Sequence, residues 1–242
     1  MTSPTEFAPG LTIQGFTAPL HLSQFKLIAF DMDSTLINIE CIDEIADAVG
    51  RKAEVEAITE AAMRGEITDF KDSLRRRLAL LKGVTLADME RVYAERLRIN
   101  PGAAELIADC QKAGMKVLLV SGGFTFFAER VKARLSIDFA RSNQLEVING
   151  ELSGGLVTQS WGDICDGAEK RRTLLEVASL LGIAPHECIA MGDGANDLPM
   201  MAVCSEAGGL SVAYHAKPKV REQAMVAIDQ GGLDRLLEVL KP

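Results

Sequence analysis

The chain runs LIAFDMDST at residues 27–35, where a short apolar run meets two aspartates. The run 27–30 has strand length and no polar residue, which is typical of a strand covered on both faces. Asp31 and Asp33 follow it directly. Two carboxylates this close repel each other unless a cation lies between them or one of them is protonated. The stretch therefore predicts a core strand that ends in a functional loop.

Two more apolar runs end in polar loops. Residues 115–120 lead into Ser121-Gly122-Gly123, and residues 188–191 lead into GDGAND at 192–197. Helical patterns separate the runs, and strands that alternate with helices indicate an α/β fold: a Rossmann-like, three-layer core around a parallel sheet. Loops at the carboxyl ends of parallel strands meet in one crevice. We therefore expect one site from the loops 31–35, 121–123 and 192–197.

Residues 41–98 contain helical patterns alone. The first apolar face recurs at helical spacing, and three more follow before residue 98. This segment is predicted to be a helical cap inserted after the first strand. The core domain then comprises residues 25–40 and 99–242. Residues 1–24 form an N-terminal extension, either a tail or an edge element.

The remaining sequence predicts smaller elements. Asn149-Gly150 is typical of a tight hairpin turn, here within residues 144–159. A separate short strand is expected near residues 138–141. An amphipathic helix is predicted to close the chain, because one helix face is shared by Leu233, Leu236, Leu237 and Leu240.

Composition narrows the classes of function. The net charge of −8 over 242 residues argues against a dedicated binder of nucleic acid or of an anionic membrane, because such proteins need a basic surface. The five cysteines are scattered without a CxxC pair, which indicates reduced thiols in a cytoplasmic protein rather than disulfides or structural zinc. No apolar run reaches the length of a membrane span. The oligomeric state is left open.

The polar residues of the three loops indicate phosphate chemistry. Carboxylates without His or Cys suit Mg²⁺ rather than zinc, and glycines let backbone N–H groups approach an anion. A magnesium site beside an anion site is typical of phosphoryl transfer. One carboxylate can attack phosphorus while the other moves protons. Asp31, which ends the strand, is predicted to be the nucleophile, and Asp33 the acid and base.

Four stretches also carry a family resemblance. DMDST, VLLVSGG, the helix-opening Lys170 and MGDGAND resemble, in this order, the four motifs of the haloacid dehalogenase superfamily of phosphatases. The longer stretches DMDSTLINIECIDEIA, SLRRRLALL, VSGGFTFFAERV and GDGANDLPM resemble the superfamily members that hydrolyse O-phosphoserine. The resemblance runs from about residue 25 to the C-terminus. It implies Mg²⁺-dependent hydrolysis of this small molecule to serine and phosphate through an aspartyl-phosphate.

The resemblance also implies roles for single residues. Asp31 and Asp33 would be catalytic, and Mg²⁺ would bind Asp31, the backbone carbonyl of Asp33, and Asp193. The implied phosphate ligands are Ser121, Gly122, Lys170 and Asn196, with Asp197 supporting the metal and the lysine. In the cap, the substrate ammonium would meet Glu40 and its carboxylate Arg77. Met63 and Phe70 would form an apolar wall, and the cap would act as a lid.

Other functions stay open at this point. One is a phosphatase or phosphotransferase of the same superfamily that acts on another small phosphomonoester, such as phosphohomoserine. Another is a phosphoprotein phosphatase or a catalytically silent phosphate-binding module, although intact motifs argue against silence and a closed cap against protein substrates. Dehalogenation is disfavoured, since that chemistry does not need the second aspartate. The run Lys170-Arg171-Arg172 makes the choice of the phosphate-binding residue depend on the register of the helix. Lys170 is chosen because this register places Leu174, Leu175 and Ala178 on the apolar face.

Overall fold

The computed structural model of the chain describes residues 4–64 and 66–241, without the side chain of residue 63. Among these residues the strands are, in chain order, β1 (Thr5–Ala8), β2 (Leu11–Ile13), β3 (Leu20–His21), β4 (Leu27–Phe30), β5 (Lys116–Phe124), β6 (Phe139–Ile148), β7 (Glu151–Val157), β8 (Cys188–Gly192), β9 (Leu210–Tyr214), β10 (Val226–Ile228) and β11 (Leu240–Lys241).

The α-helices alternate with the strands except in one long segment. They are α1 (Cys41–Ala48), α2 (Lys52–Met63), α3 (Phe70–Ala79), α4 (Leu86–Glu95), α5 (Ala103–Lys112), α6 (Thr125–Leu135), α7 (Gly167–Leu181), α8 (Leu198–Ala207), α9 (Pro218–Gln223) and α10 (Leu236–Val239). No helix within the described ranges is long and apolar enough to span a membrane.

Nine strands form one sheet, in the order β1-β2-β10-β9-β8-β4-β5-β6-β7. From β10 to β6 each strand runs parallel to its neighbour. The two edges are antiparallel, where β2 pairs with β10 and β7 pairs with β6. Because β4 lies between β8 and β5, the loops that follow β8 and β4 and the carboxyl-terminal end of β5 are neighbours at one edge of the sheet.

The residues of β4 divide between the two faces of the sheet. Ile28 and Phe30 belong to one hydrophobic cluster, and Leu27 and Ala29 belong to another. All four side chains are fully buried. Successive side chains of a strand point to opposite faces, so an unbroken apolar run is what a strand between two helical layers requires. The predicted three-layer α/β core is confirmed.

The helices α1 to α4 follow β4 and pack against one another, and α3 packs against β7 of the hairpin β6–β7. Gly83 N–H donates to Leu152 O at 2.9 Å, and Leu152 N–H donates to Val84 O at 2.8 Å. The predicted hairpin is confirmed, with Asn149 and Gly150 at φ values of 52° and 84° in its turn. Its contact with the helical segment was not predicted.

Several predicted boundaries were wrong. The last helix stops at Val239, and Leu240 instead opens β11, which pairs in parallel with β3. Leu240 is fully buried in this arrangement, so its apolar side chain is satisfied by the pairing rather than by a helix face. The strand expected near 138–141 is the start of the longer β6, and β5 continues past the glycines to Phe124. The N-terminal extension takes one of its two expected forms, because β1 and β2 form an edge element of the sheet.

Candidate active site

The loops after β4 and β8 and the carboxyl-terminal end of β5, residues 121–124, line one cavity of about 690 Å³. The predicted convergence of the loops is therefore confirmed. The core contributes the predicted residues Asp31, Asp33, Ser121, Gly122, Asp193 and Asn196 to the lining. The helical segment contributes Phe70 and Arg77, and Glu40 directly precedes that segment as the N-cap residue of α1. Lys170 and Asp197 lie buried beside this lining, in contact with Asp31 and the loop after β8.

Asp31 is held at the end of β4 by several contacts. Its N–H donates to Met191 O at 2.9 Å, which extends the pairing of β4 with β8 by one residue. Its Oδ1 accepts from the Met32 N–H at 2.7 Å and lies 2.7 Å from Lys170 Nζ. Burial, followed by the charge of Asp197, raises the pKa of Asp31 well above its usual value, against the effect of Lys170. The carboxylate is thus fixed in place and short of positive charge.

Lys170 is the buried cation of the site. Its Nζ lies 2.7 Å from Asp31 Oδ1 and 2.6 Å from Asp197 Oδ1, and the residue is fully buried. Burial disfavours the ammonium charge, yet Asp197 and Asp31 together raise the pKa of Lys170 above its usual value. It therefore stays protonated at neutral pH. Arg171 and Arg172 are exposed, so Lys170 is the residue of this run that reaches the site.

Asp193 and Asp197 have different surroundings. Asp197 is fully buried, and while its Oδ1 accepts from Lys170, its Oδ2 accepts from the N–H groups of Asp193 at 3.1 Å and Gly194 at 2.9 Å. Asp193 lines the cavity, and Thr35 Oγ1 donates to its Oδ1 over a long 3.4 Å. Burial, followed by the charge of Asp197, raises the pKa of Asp193 to about 6. Asp197 thus holds the loop, whereas Asp193 is available to a ligand.

These carboxylates could hold a metal ion. Asp31, Asp193 and Asp197 each offer one oxygen, and the three oxygens lie within 4.8 Å of one another. An oxygen donor set without His or Cys fits Mg²⁺. The raised pKa values of Asp31 and Asp193 show that the protein alone does not neutralise these groups, and a divalent cation would supply the missing charge.

Asp33 is held by the first residue of α1. Cys41 Sγ donates to Asp33 Oδ1 at 3.0 Å, and the Cys41 N–H donates to Oδ2 at 3.4 Å. Burial, followed by the charge of Glu40, raises the pKa of Asp33 to about 8. A carboxyl group with a pKa near neutrality can donate a proton in one step and accept one in the next.

The loop after Val120 is fixed from two sides. Ser121 is fully buried, and its Oγ accepts from the Gly123 N–H at 2.8 Å. Asn143 on β6 donates to Gly122 O at 2.7 Å, while its own Oδ1 accepts from the Cys165 N–H at 2.8 Å. A Cβ at position 123 would lie only 2.9 Å from an oxygen of the Asp33 carboxyl group, so a larger residue there would displace that group.

The helical side of the cavity carries the other predicted residues. Ser34 Oγ donates to Glu40 Oε1 at 2.7 Å. Arg77 is half-buried, and its Nε has no hydrogen-bond partner. Burial lowers the pKa of Arg77, against the charges of Asp43 and Glu40. Phe70 lies at the mouth with 37% of its surface exposed. The side chain of Met63 lies outside the described residues.

Sequence reasoning missed other residues of the site. Cys41 and Asn143 hold predicted site residues, and Asp43 and Lys217 line the cavity. Asp43 follows Glu40 by three positions, a spacing that shares one helix side and could have indicated it. Asn143 carries no such signal, because its contact with Gly122 depends on the pairing of β6 with β5.

The family profile described as haloacid dehalogenase-like hydrolase matches residues 28–202. A phosphoserine phosphatase of Albidiferax ferrireducens is 69% identical over 239 residues, which are 99% of this chain and 99% of that protein. The phosphoserine phosphatase of Haemophilus influenzae is 48% identical, over 90% of this chain and 67% of its own length.

Solved structures of phosphoserine phosphatases are also similar to this chain. A "substrate bound phosphoserine phosphatase complex structure" is 37% identical with a TM-score of 0.79, and the match covers 90% of this chain and 99% of that chain. A "phospho-aspartyl intermediate analogue of phosphoserine phosphatase" is 38% identical with the same TM-score of 0.79 and the same coverage. The chain therefore belongs to the haloacid dehalogenase-like hydrolases, in the family of the phosphoserine phosphatases.

Proposed function

We propose that this protein hydrolyses O-phosphoserine to serine and phosphate, with Mg²⁺ and through an aspartyl-phosphate on Asp31. The observation that carries the chemistry is the presence of Asp31 and Asp33 in one cavity, with Lys170 in contact with Asp31. The names of the relatives support the substrate. A serine product would make this reaction the last step of serine biosynthesis.

In the first step, a carboxylate oxygen of Asp31 attacks phosphorus. The bond between phosphorus and the serine oxygen breaks, and that oxygen takes the proton of Asp33. The raised pKa of Asp33 favours the protonated form that this step needs. The products are serine and an aspartyl-phosphate. The phosphoryl oxygens would be bound by Ser121, Gly122, Lys170 and Asn196.

In the second step, Asp33 acts as a base. It takes a proton from a water molecule, whose oxygen attacks phosphorus as the bond to Asp31 breaks. Phosphate leaves, Asp31 is again a carboxylate, and Asp33 is again protonated. The contacts from Cys41 keep the Asp33 carboxyl group in one orientation for both steps.

Asp31, Asp193 and the backbone carbonyl of Asp33 would hold the Mg²⁺, and Asp197 would support them. When bound, Mg²⁺ neutralises the nearby carboxylates and the charge that develops on the phosphoryl oxygens. Two observations support this division of roles: the Asp193 carboxylate accepts only one long hydrogen bond from the described residues, and Asp197 is engaged by Lys170 and two N–H groups.

The amino-acid head group would lie against the helical side. Arg77 would bind the carboxylate, since its guanidinium offers a fork of donors and its Nε has no protein partner. Glu40 would accept from the ammonium group, and Phe70 and Met63 would form the apolar wall. The helical segment 41–98 would act as a cap that excludes water from the aspartyl-phosphate until the serine has left.

The test measures phosphate release from O-phosphoserine, a sugar phosphate and p-nitrophenyl phosphate, with and without Mg²⁺, for the wild type and Arg77→Ala. We expect the wild type to release phosphate from O-phosphoserine faster than from the other two substrates, and to need Mg²⁺ for this. Arg77→Ala should reduce this preference at least tenfold. Arg76→Ala, an exposed neighbour on the same helix, is the matched control. Turnover of p-nitrophenyl phosphate alone would keep the chemistry and refute the substrate.

The nucleophile has a test of its own. Asp31→Asn should abolish labelling of the protein by a phosphorylated substrate, because the amide does not form the acyl phosphate. Labelling at the wild-type rate would refute the assignment. A cytoplasmic location remains a prediction, which the five buried free thiols support.

A further inference from the structure

Two buried side-chain nitrogen or oxygen atoms in the described part of the chain lack a hydrogen-bond partner. They are Asp43 Oδ1 and Arg77 Nε, and both residues line the same cavity. Buried polar atoms are nearly always paired, so each exception calls for a reason. One of these atoms is an acceptor and the other a donor. The other Asp43 oxygen and the two terminal nitrogens of Arg77 also make no hydrogen bond to a described residue, so a ligand in the cavity with a cationic group and an anionic group would pair with these two side chains.

Arg77 and Asp43 do not satisfy each other. Their charges interact, because Arg77 lowers the pKa of Asp43 while burial and Glu40 raise it. No carboxylate among the described residues lies within 4.0 Å of the Arg77 guanidinium nitrogens. The two charged groups are therefore more than 4.0 Å apart, and both residues line the cavity.

Glu40 and Asp43 form a carboxylate pair on one side of α1. Glu40 is the N-cap residue of that helix, and Asp43 lies in its first turn. Glu40 Oε1 already accepts from Ser34 Oγ at 2.7 Å. Asp43 Oδ1 accepts from no group. An acidic side chain in solvent can also interact favourably with the helix dipole. That interaction alone therefore does not explain why Asp43 lines the cavity with an oxygen that is buried and unpaired.

We propose that Asp43 is a specificity-determining residue, whose carboxylate accepts from the ammonium of the amino-acid head group beside Glu40 while Arg77 binds the carboxylate. This inference rests on the proposed function, since it concerns the same cavity and the same substrate. Two carboxylates facing one ammonium also reject an analogue with a hydroxyl in its place, because such an analogue leaves the buried charges unpaired.

The test compares four substrates in the presence of Mg²⁺. O-phosphoserine has both head-group charges, O-phosphoethanolamine keeps only the ammonium, 3-phosphoglycerate keeps only the carboxylate, and p-nitrophenyl phosphate has neither. The enzymes are the wild type, Asp43→Asn and the control Glu44→Gln. The control removes the same charge one residue further along α1, but the Glu44 side chain contacts Arg96 and does not line the cavity. KM is measured, or Ki where turnover is absent.

We expect Asp43→Asn to raise KM at least tenfold for the two substrates with an ammonium group, with kcat nearly unchanged. KM for p-nitrophenyl phosphate should change less than about twofold, because a charge-assisted contact is lost only where an ammonium is present. KM for 3-phosphoglycerate should not rise and should fall if the Asp43 charge rejects its hydroxyl. Thermal unfolding checks the fold of the variant, which loses no hydrogen bond of the free protein at this oxygen.

Two results would overturn the inference. An unchanged KM for O-phosphoserine would mean that Asp43 does not touch the substrate. Equal losses for O-phosphoserine and 3-phosphoglycerate would mean that Asp43 acts by positioning Arg77. Failure of the proposed function is seen separately, in a wild-type enzyme that does not prefer O-phosphoserine to p-nitrophenyl phosphate.

Discussion

At the scale of single residues, the carboxyl group of Asp33 depends on Cys41. The thiol donates to Oδ1 at 3.0 Å, and this contact leaves Oδ2 with only a long 3.4 Å bond from the Cys41 N–H. The hydrogen bond therefore helps to select which oxygen carries the proton. Cys41 is fully buried, so its contribution is to positioning rather than to contact with the substrate.

Cys41→Ala should slow the release of serine in the first turnover by about tenfold, because proton donation from a positioned group contributes about 10²–10⁴-fold and a misaligned one contributes less. Release of p-nitrophenol should slow much less, since that leaving group needs no proton. Stopped-flow measurement of the first turnover tests this, and Cys41→Ser should restore the rate with O-phosphoserine. Cys110→Ala controls for loss of a buried thiol elsewhere. Equal slowing for both leaving groups would contradict the role.

The pKa of Asp33 makes a prediction for stability in the presence of a chelator. This pKa rises from its ordinary value of 3.8 to about 8 in the folded protein, chiefly by burial. The folded state then binds this proton more tightly than the unfolded state. The stabilisation is complete below about pH 4 and is lost as the pH rises through about 8, by up to about 1.4 kcal/mol per pH unit.

Asp33→Asn removes this dependence. Between about pH 5 and pH 7, the free energy of unfolding of the wild type should fall more steeply with pH than that of the variant, by up to one proton's slope. Urea unfolding at several pH values in EDTA measures both. Asp31 and Asp193 are present in both proteins, so the difference reports Asp33. Parallel curves would show that Asp33 is ionised in the folded metal-free protein.

At the scale of elements, α3 is held between two neighbours. On one side Lys71 and Arg75 reach Asp163, at 2.9 Å and 2.6 Å. On the other side the end of α3 lies against Gly154 of β7, where a Cβ would lie 3.3 Å from atoms of Leu78, Ala79 and Lys82. Since α3 carries Arg77 and Phe70 to the cavity, both neighbours help to set the width of the site.

Gly154→Ala should therefore perturb both stability and substrate binding. Gly154 and Gly150 both have φ near +85°, but no atom lies within 4 Å of a Cβ at Gly150. Both alanine variants should lose about 1–2 kcal/mol to the left-handed conformation. Gly154→Ala should lose about 1–3 kcal/mol more from crowding and should raise KM for O-phosphoserine. Urea unfolding and steady-state kinetics compare the two, and equal losses would mean that the hairpin yields without strain.

At the scale of the whole molecule, the buried acidic residues of the site carry more negative charge than the neighbouring lysine balances. The chain has a net charge of −8, and its buried carboxylates Asp31, Asp193 and Asp197 are served by a single buried lysine among the described residues. A cation that binds only the folded state stabilises it by mass action. Mg²⁺ is therefore expected to stabilise the fold as well as to support catalysis.

Saturating Mg²⁺, at about a hundred times its Kd, should stabilise the wild type by about 2.7 kcal/mol. Asp193→Asn should lose most of this increment, because it removes a ligand that faces the cavity. Asp109→Asn, an equal charge change on the exposed face of α5, should keep it. Thermal unfolding across a Mg²⁺ titration provides the measurement. A Tm that rises equally for all three proteins would place the stabilising ion elsewhere.

Across the whole molecule, features with a local sequence signal were predicted correctly, whereas a contact between distant residues was not. Apolar runs of strand length and the Asn149-Gly150 turn are local signals, and the sheet and the hairpin follow them. The end of the chain did not follow its signal, because Leu240 is buried by pairing with Leu20, far away in sequence. A periodic apolar pattern indicates that a residue is buried, but it does not indicate which residues or elements bury it.

By itself, the sequence determined the α/β core and the set of loops at the site, because parallel strands bring their carboxyl ends to one edge of the sheet. Asp31, Asp33, Ser121, Asp193 and Asn196 accordingly line one cavity. Only the tertiary structure decided which partners hold these groups: Cys41 on Asp33 and Asn143 on Gly122. These contacts depend on the packing of elements against one another, and a single chain's sequence carries no local pattern for such distances.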